Sequence, residues 1–180
     1  MNILTFDIED WYNCDFISED FNWDKYECRI YGGVRRLLDE LERRKLKGTF
    51  FCLGWLAEKH PSIIKEIADR GHQVGCHSYQ HELSFRFTPE QFIEDTRKAK
   101  SLIESVIGKE VVLFRAPGFS ITERNAWAID CLVEMGFLYD CSIFPAAHDY
   151  GGMSNYGKAE PAIIKTLKGN MIKEFPINVH

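Results

Sequence analysis

Residues 71–81 read GHQVGCHSYQH, and this stretch decides the fold. It follows HPSIIKEIADRG, residues 60–71, a helical pattern with Pro61 near its start and Gly71 at its stop. The run HQVGCH then reads as a buried strand ending on His77. A helix leading into an apolar strand, with polar side chains at the strand's C-terminal end, belongs to parallel α/β architecture. The same stretch holds three of the six histidines of the chain, His72, His77 and His81.

The pattern repeats outward in both directions. Upstream, MNILTFD is an apolar run ending on acids, GGVRRLLDELERRKLKG places Val34, Leu37, Leu38 and Leu41 at helical spacing with a glycine past the end, and GTFFCLG is a second short strand. Downstream, TPEQFIEDTRKAKSLIESVIG predicts a long helix capped by Thr88, with Phe92, Thr96, Ala99, Leu102, Ile103 and Val106 on its apolar face. VVLFRAPG, a helix near TERNAWAIDCLVEMG, FLYDCSIF, a Gly-rich loop at HDYGGMSNYGK and a last strand in MIKEFPINV complete the series. Strand and helix units of roughly thirty residues predict a parallel sheet, open or closed into a barrel, and a complete eight-unit barrel usually needs about 250 residues.

At 180 residues a single domain over residues 1–180 is expected. A net charge of -5 without a basic stripe argues against nucleic acid as a partner. The N-terminal MNILTFDIEDW has neither a basic segment nor an apolar signal core, and no long apolar run follows, so the chain as given is expected to be cytoplasmic without a transmembrane segment. The six cysteines are dispersed without a CxxC pair and read as reduced thiols.

Four polar clusters fall at the ends of the expected strands: FDIED (Asp7, Glu9, Asp10), HSYQH (His77, His81), RAPG (Arg115, Gly118) and YDCS (Asp140). In a parallel fold such ends converge on one face. His77 and His81, four apart and expected on one face of a helical turn at a solvent-facing strand end, can share a divalent ion with a carboxylate from another strand. The spacing alone also arises by chance among surface histidines. His72 precedes the strand and reads as a boundary residue. A carboxylate of FDIED left free of metal can serve as general base, and Arg115 is placed to pair with a buried carboxylate. Trp11, Tyr12, Phe119 and Phe144 flank these motifs and offer either a sugar-stacking surface or ordinary core.

TFDIED, HSYQH and RAPG together resemble three motifs of the polysaccharide deacetylases, the NodB homology domain of carbohydrate esterase family 4. GTFFCLGWLAEKHP, FRAPGFSIT and YDCSIFP extend the resemblance over most of the chain, toward a subgroup linked to bacterial exopolysaccharide and surface glycans. The resemblance implies an irregular (β/α) barrel and metal-dependent removal of acetyl from an N-acetylated glycan. Carried over, Asp7 is the catalytic base, His77, His81 and Asp10 are metal ligands with Glu9 the alternative carboxylate, and Arg115 orients the base. By the same resemblance Asp140 is expected to support the acid-base machinery and a backbone N–H near Gly118 to help hold the oxyanion; from their place beside the motifs, Trp11 and Phe119 are the expected sugar contacts. The implied ion is Zn²⁺, with Co²⁺, Ni²⁺ and Fe²⁺ suited to the same ligands.

The chain departs from the family pattern in three places. DIED replaces adjacent aspartates; Ile143 stands where the fourth motif has a second acid; and the late Leu-x-His that supplies the catalytic acid is not matched by NVH, so His180 receives no role. A C-terminally truncated barrel, lacking its last strands and final motif, is therefore expected. Such a chain would bind the ion, turn over roughly 10²–10⁴-fold more slowly, and expose MIKEFPINV as an edge strand. The rival expectations are a hydrolase of small linear or cyclic amides and a catalytically silent glycan-binding domain.

Overall fold

The computed structural model describes residues 3–13, 20–147, 149 and 151–178. Cys14 and His180, for which the sequence predicts a thiol and no catalytic role, lie outside the described residues. The chain divides into two compact units, Met1–His81 with Lys98–Val111, and Glu82–Arg97 with Val112–His180.

In the first unit three short parallel strands lie side by side: β1 (Thr5–Ile8), β2 (Thr49–Cys52) and β3 (Gln73–Cys76). The apolar runs read from the sequence form these strands, with Phe6, Phe50 and Val74 aligned in register. Helix α1 (Ile30–Arg43) crosses from β1 to β2 and buries Ile30, Val34, Leu38 and Leu41, the stripe that its periodicity predicts except for Leu37. It stops with Lys45 in the left-handed region at φ 55, not at a glycine, as the N–H groups of Lys45 and Leu46 return to the carbonyls of Glu42 and Leu41. Helices α2 (Gly54–Lys59) and α3 (Pro61–Asp69) make the second crossover, and α3 ends before left-handed Gly71. His72 is no mere boundary residue: it is 8% exposed, packs on Phe50 and accepts the Gly48 N–H on Nδ1 at 3.2 Å.

Helix α4 (Pro89–Ile107) contributes residues to both units. Thr88 caps it as the sequence predicts, accepting the Gln91 N–H while the Gln91 side chain accepts the Thr88 N–H. Phe92, Thr96, Ala99 and Ile103 of its apolar face are buried.

Gly54 fixes how closely α2 approaches α4 within the first unit. A Cβ built on it would lie 2.5 Å from the Ala99 Cα and 2.7 Å from the Ala99 Cβ. The N–H groups of Gly54 and Trp55 also donate to the carbonyls of Ser78 and Tyr79, inside the loop that carries the two candidate ligand histidines. Gly54→Ala is expected to destabilise the protein by about 1–3 kcal/mol through overpacking and to weaken metal binding by displacing that loop. Thermal denaturation with metal titration checks both effects, and an unchanged melting temperature would show that α2 can move away at no cost.

In the second unit β4 (Leu113–Phe114), β5 (Tyr139–Asp140) and β7 (Met171–Glu174) are parallel neighbours, and β6 (Ala162–Lys165) pairs antiparallel with β7. Helix α5 (Trp127–Glu134) lies between β4 and β5 in sequence, and Phe92, Phe114, Phe137 and Leu132 are buried. Contrary to the expectation of an exposed edge in MIKEFPINV, β7 has a neighbour on each side, and β6, a strand that the sequence pattern does not predict, covers its outer edge. The β6–β7 hairpin turns through left-handed Gly169, and its Lys168 N–H is held by the buried Asp130 carboxylate of α5. Among the described residues no helix is long and apolar enough to cross a membrane.

Candidate metal and acid sites

Beyond Ile8 the chain of β1 keeps the alternation of a strand, with Asp7 and Glu9 half-buried and Ile8 and Asp10 buried. Alternation sends Asp7 and Glu9 one way and Asp10 the other. Asp10 Oδ1 accepts the Trp11 N–H at 2.8 Å, and its Oδ2 accepts the N–H groups of Arg29 at 2.7 Å and Ile30 at 3.1 Å. The carboxylate thus answers orphan donors at the N-terminus of α1, where negative charge is also favoured by the helix dipole. Glu9 is the acid that stands beside the histidines.

His77 follows β3 directly, its N–H bonded to the Cys52 carbonyl at 2.9 Å. The next residues form a bent loop, not the helical turn expected, with Ser78 at φ 66 and His81 at φ 59. Ser78 Oγ accepts the His81 N–H at 3.0 Å and stabilises this left-handed backbone, which brings the two imidazole centroids to 5.2 Å. Nor do the histidines face solvent: the side chains of His77 and His81 are 2% and 13% exposed.

His81 Nε2 lies 3.0 Å from Glu9 Oε2, and one ligand atom from each of Glu9, His77 and His81 lies within 4.8 Å of the others. Asp7 Oδ2 is 4.0 Å from His77 Nε2. Burial pushes the Glu9 carboxyl up, yet the His81 hydrogen bond and the charge of both imidazoles outweigh burial, and the group ends below its ordinary value. One carboxylate oxygen and two imidazole nitrogens are a fitting donor set for zinc. This is the group of metal-competent side chains found among the described residues.

Trp11 is 40% exposed, stands edge-on to Tyr12 and Tyr26, and donates its indole N–H to the Glu27 carbonyl, whereas Tyr12 is core at 1% exposure. In the second unit Arg115 follows β4, is 4% exposed, and donates from Nε to the Cys141 carbonyl at 3.2 Å. Its guanidinium lies over the Phe119 ring at 5.5 Å, and Phe119 leans on Phe144. Gly118 occupies the left-handed region at φ 57 in a tight turn, where the N–H groups of Phe119 and Ser120 are taken by the carbonyls of Ala116 and Pro117. Asp140 is fully buried at the end of β5, and beside it stands an acid that the motifs do not announce, Glu174. In the structure Ile172 and Glu174 are buried and Met171 and Lys173 are not, whereas the sequence MIKE does not alternate in polarity and gives no signal that marks Glu174.

Free thiols occur at Cys28, Cys52, Cys76, Cys131 and Cys141, as expected. Burial pushes the Cys52 thiol well above its ordinary value, with Cys76 and Asp7 adding to the rise.

The sequence profile of the polysaccharide deacetylase family matches residues 4–136, and the chain belongs to that family. It is similar to a Gibberella zeae peptidoglycan deacetylase-like protein, FGM2, at 38% identity over 69% of this chain and 37% of the relative. A Bacillus cereus peptidoglycan-N-acetylglucosamine deacetylase is 32% identical over 53% of this chain and 35% of its own. A Mycobacterium smegmatis structure described as a polysaccharide deacetylase superposes with a TM-score of 0.77 at 26% identity, covering 98% of this chain and 58% of that one. The chain spans about a third of the length of the curated relatives it matches. The fold is the mixed α/β fold of these deacetylases, with a parallel sheet and helical crossovers.

Asp10→Ala separates structural from ligand carboxylate. The substitution leaves the N–H groups of Trp11, Arg29 and Ile30 without their acceptor and is expected to cost about 2–4 kcal/mol. Asp10→Asn, which keeps one acceptor oxygen, is expected to cost about 1 kcal/mol and to leave the metal content unchanged. Metal analysis beside denaturant unfolding checks the pair, and metal loss in Asp10→Asn at unchanged stability would restore Asp10 to the ligand set.

Proposed function

We propose that the chain is the catalytic part of a metal-dependent N-deacetylase that removes acetyl groups from N-acetylated sugars of a polysaccharide or surface glycan. The observation that carries this reading is the Glu9, His77 and His81 cluster with the Asp7 carboxylate at its side. The relatives bear the names of peptidoglycan deacetylases, which supports an N-acetylated glycan as substrate class.

Glu9, His77 and His81 would hold the ion, with Zn²⁺ favoured and Co²⁺, Ni²⁺ or Fe²⁺ suited to the same donors. The chemistry that such an ion supplies when bound is a lowered water pKa and a polarised acyl carbonyl. Asp7 takes the proton of the attacking water on its carboxylate. It is placed to do so because it shares a strand face with Glu9 without belonging to the donor cluster. Burial of His77 and most of His81 keeps competing water from the imidazoles.

Acetate release from N-acetylglucosamine oligomers, compared with amine release from small linear and cyclic amides, tests the reading on the full-length metal-loaded protein. Acetate from the oligomers is expected. Turnover of the small amides alone would make the protein an amidohydrolase of another substrate class, and turnover of neither with metal bound would leave a glycan-binding role.

A further inference from the structure

Asp140 ends β5 and Glu174 ends β7, and the parallel register sets the two residues opposite each other. Both are 0% exposed, so protein donors must satisfy their oxygens. Asp140 Oδ1 accepts from the Ser142 hydroxyl at 2.5 Å, and Ser142 Oγ in turn accepts the Ala116 N–H at 2.8 Å. Glu174 Oε1 accepts the Ile143 N–H at 3.2 Å. Asp140 Oδ2 and Glu174 Oε2 remain, both buried and neither receiving a donor, on neighbouring strands at paired positions. Two ionised carboxylates so placed would set two negative charges side by side in a dry interior, where the Arg115 guanidinium is the cation that acts on both.

We propose that Glu174 and Asp140 share one proton between these two oxygens and act as a singly charged acid pair that holds Arg115 in position. One proton satisfies both orphan oxygens and leaves one negative charge facing one positive charge. Residue 143, where the resemblance places a second acid, still serves the pair, because the Ile143 N–H anchors the carboxyl that arrives from β7 instead. Burial, followed by the charge of Asp140, pushes Glu174 well above the ordinary carboxyl range, and burial raises Asp140 against the lowering influence of Ser142, Glu174 and Arg115. The Tyr156 hydroxyl is buried nearby, and its phenol is pushed up by burial and by the same two acids, so it stays a neutral neighbour of the pair. Glu174 is thus a positioning residue. Its kinetic consequence rests on the deacetylase reading, while its protonation does not.

Infrared spectroscopy of full-length protein carrying ¹³C-labelled glutamate or aspartate tests the shared proton directly. A carboxylic-acid carbonyl band at neutral pH, shifted by the label and lost in Glu174→Gln, is expected. A wild-type protein with no such band overturns the proposal. Stability gives a second readout. The folded pair keeps a proton that the unfolded chain releases above the ordinary carboxyl range, so its contribution is full below that range and falls as pH rises toward the raised folded value. Glu174→Gln removes that dependence, and the melting temperature of the variant relative to wild type should climb from about pH 5 to about pH 8. A flat difference over this interval counts against the shared proton. In turnover, Glu174→Ala should lower kcat about tenfold with little change in KM, and Glu174→Gln, whose amide can donate to Asp140, should recover most of it. Equal kcat in all three proteins would remove the positioning role. An infrared band without any acetate release would sink the deacetylase reading and leave the proton-sharing pair standing.

Discussion

Replacing His77 or His81 by alanine is expected to weaken zinc binding at least about a hundredfold, roughly 3 kcal/mol of binding free energy. Each substitution removes one of the two imidazoles from a cluster of three side chains, and Glu9 with a single histidine cannot reproduce the site. The fold should survive, because the bonds that shape the loop are made by the main chain and by Ser78: His77 N–H to Cys52 O, Gly54 N–H to Ser78 O, and His81 N–H to Ser78 Oγ. His77 is nevertheless buried, so its loss leaves a small cavity, and the matching His77→Gln variant separates lost ligation from lost packing. Metal content by mass spectrometry and a zinc competition titration read the effect. Glu9→Gln should fall in the same class, since the amide brings no charge to the ion. Full metal occupancy in any one of these variants would take that residue out of the ligand set.

The sequence was most readable where burial and periodicity act together. TFFC, QVGC and the stripe of α1 have one dominant physical requirement, an apolar face, and the strands and helices appear where that requirement predicts them. The residues that pattern does not single out answer to geometry that residue type alone does not express. Asp10 is the residue type that the resemblance favours as ligand, yet strand alternation turns it toward the N-terminus of α1 and turns Glu9 toward the histidines. His77 and His81 have the spacing of a helical turn, but their loop reaches the same proximity through left-handed Ser78 and His81, a conformation with no glycine to announce it. Glu174 sits in a short strand whose sequence does not alternate in polarity, and only its pairing opposite Asp140 gives its burial a meaning. Strand β6 leaves a weak signal in the sequence, because AIIK follows a Gly-rich loop and carries exposed side chains at Ile163 and Lys165. For Asp10, Glu174 and β6 the missing information is a partner distant in the chain; for the histidine loop it is a local left-handed backbone.

Asp7→Asn in the full-length protein is expected to keep the metal and lose about 10²–10⁴-fold in kcat. The amide has nearly the shape of the carboxylate but cannot accept a proton at neutral pH, so the substitution removes the proposed base while leaving the packing of β1 in place. The structure supports the first half of this expectation: Asp7 lies outside the group of Glu9, His77 and His81, and its carboxylate stands 4.0 Å from His77 Nε2, beside the donors and not among them. The backbone pairing of β1 with β2 aligns Asp7 with Phe51 and does not involve the side chain, so register is preserved. Measurement of bound metal, melting temperature and acetate release on one preparation distinguishes the roles. Metal loss with intact stability would make Asp7 a ligand, and Glu9→Gln with normal occupancy would then exchange the roles of the two acids. Retained turnover with bound metal would remove the base from Asp7 altogether, and Glu9 would become the carboxylate to test next, since alternation places it on the same face of the strand.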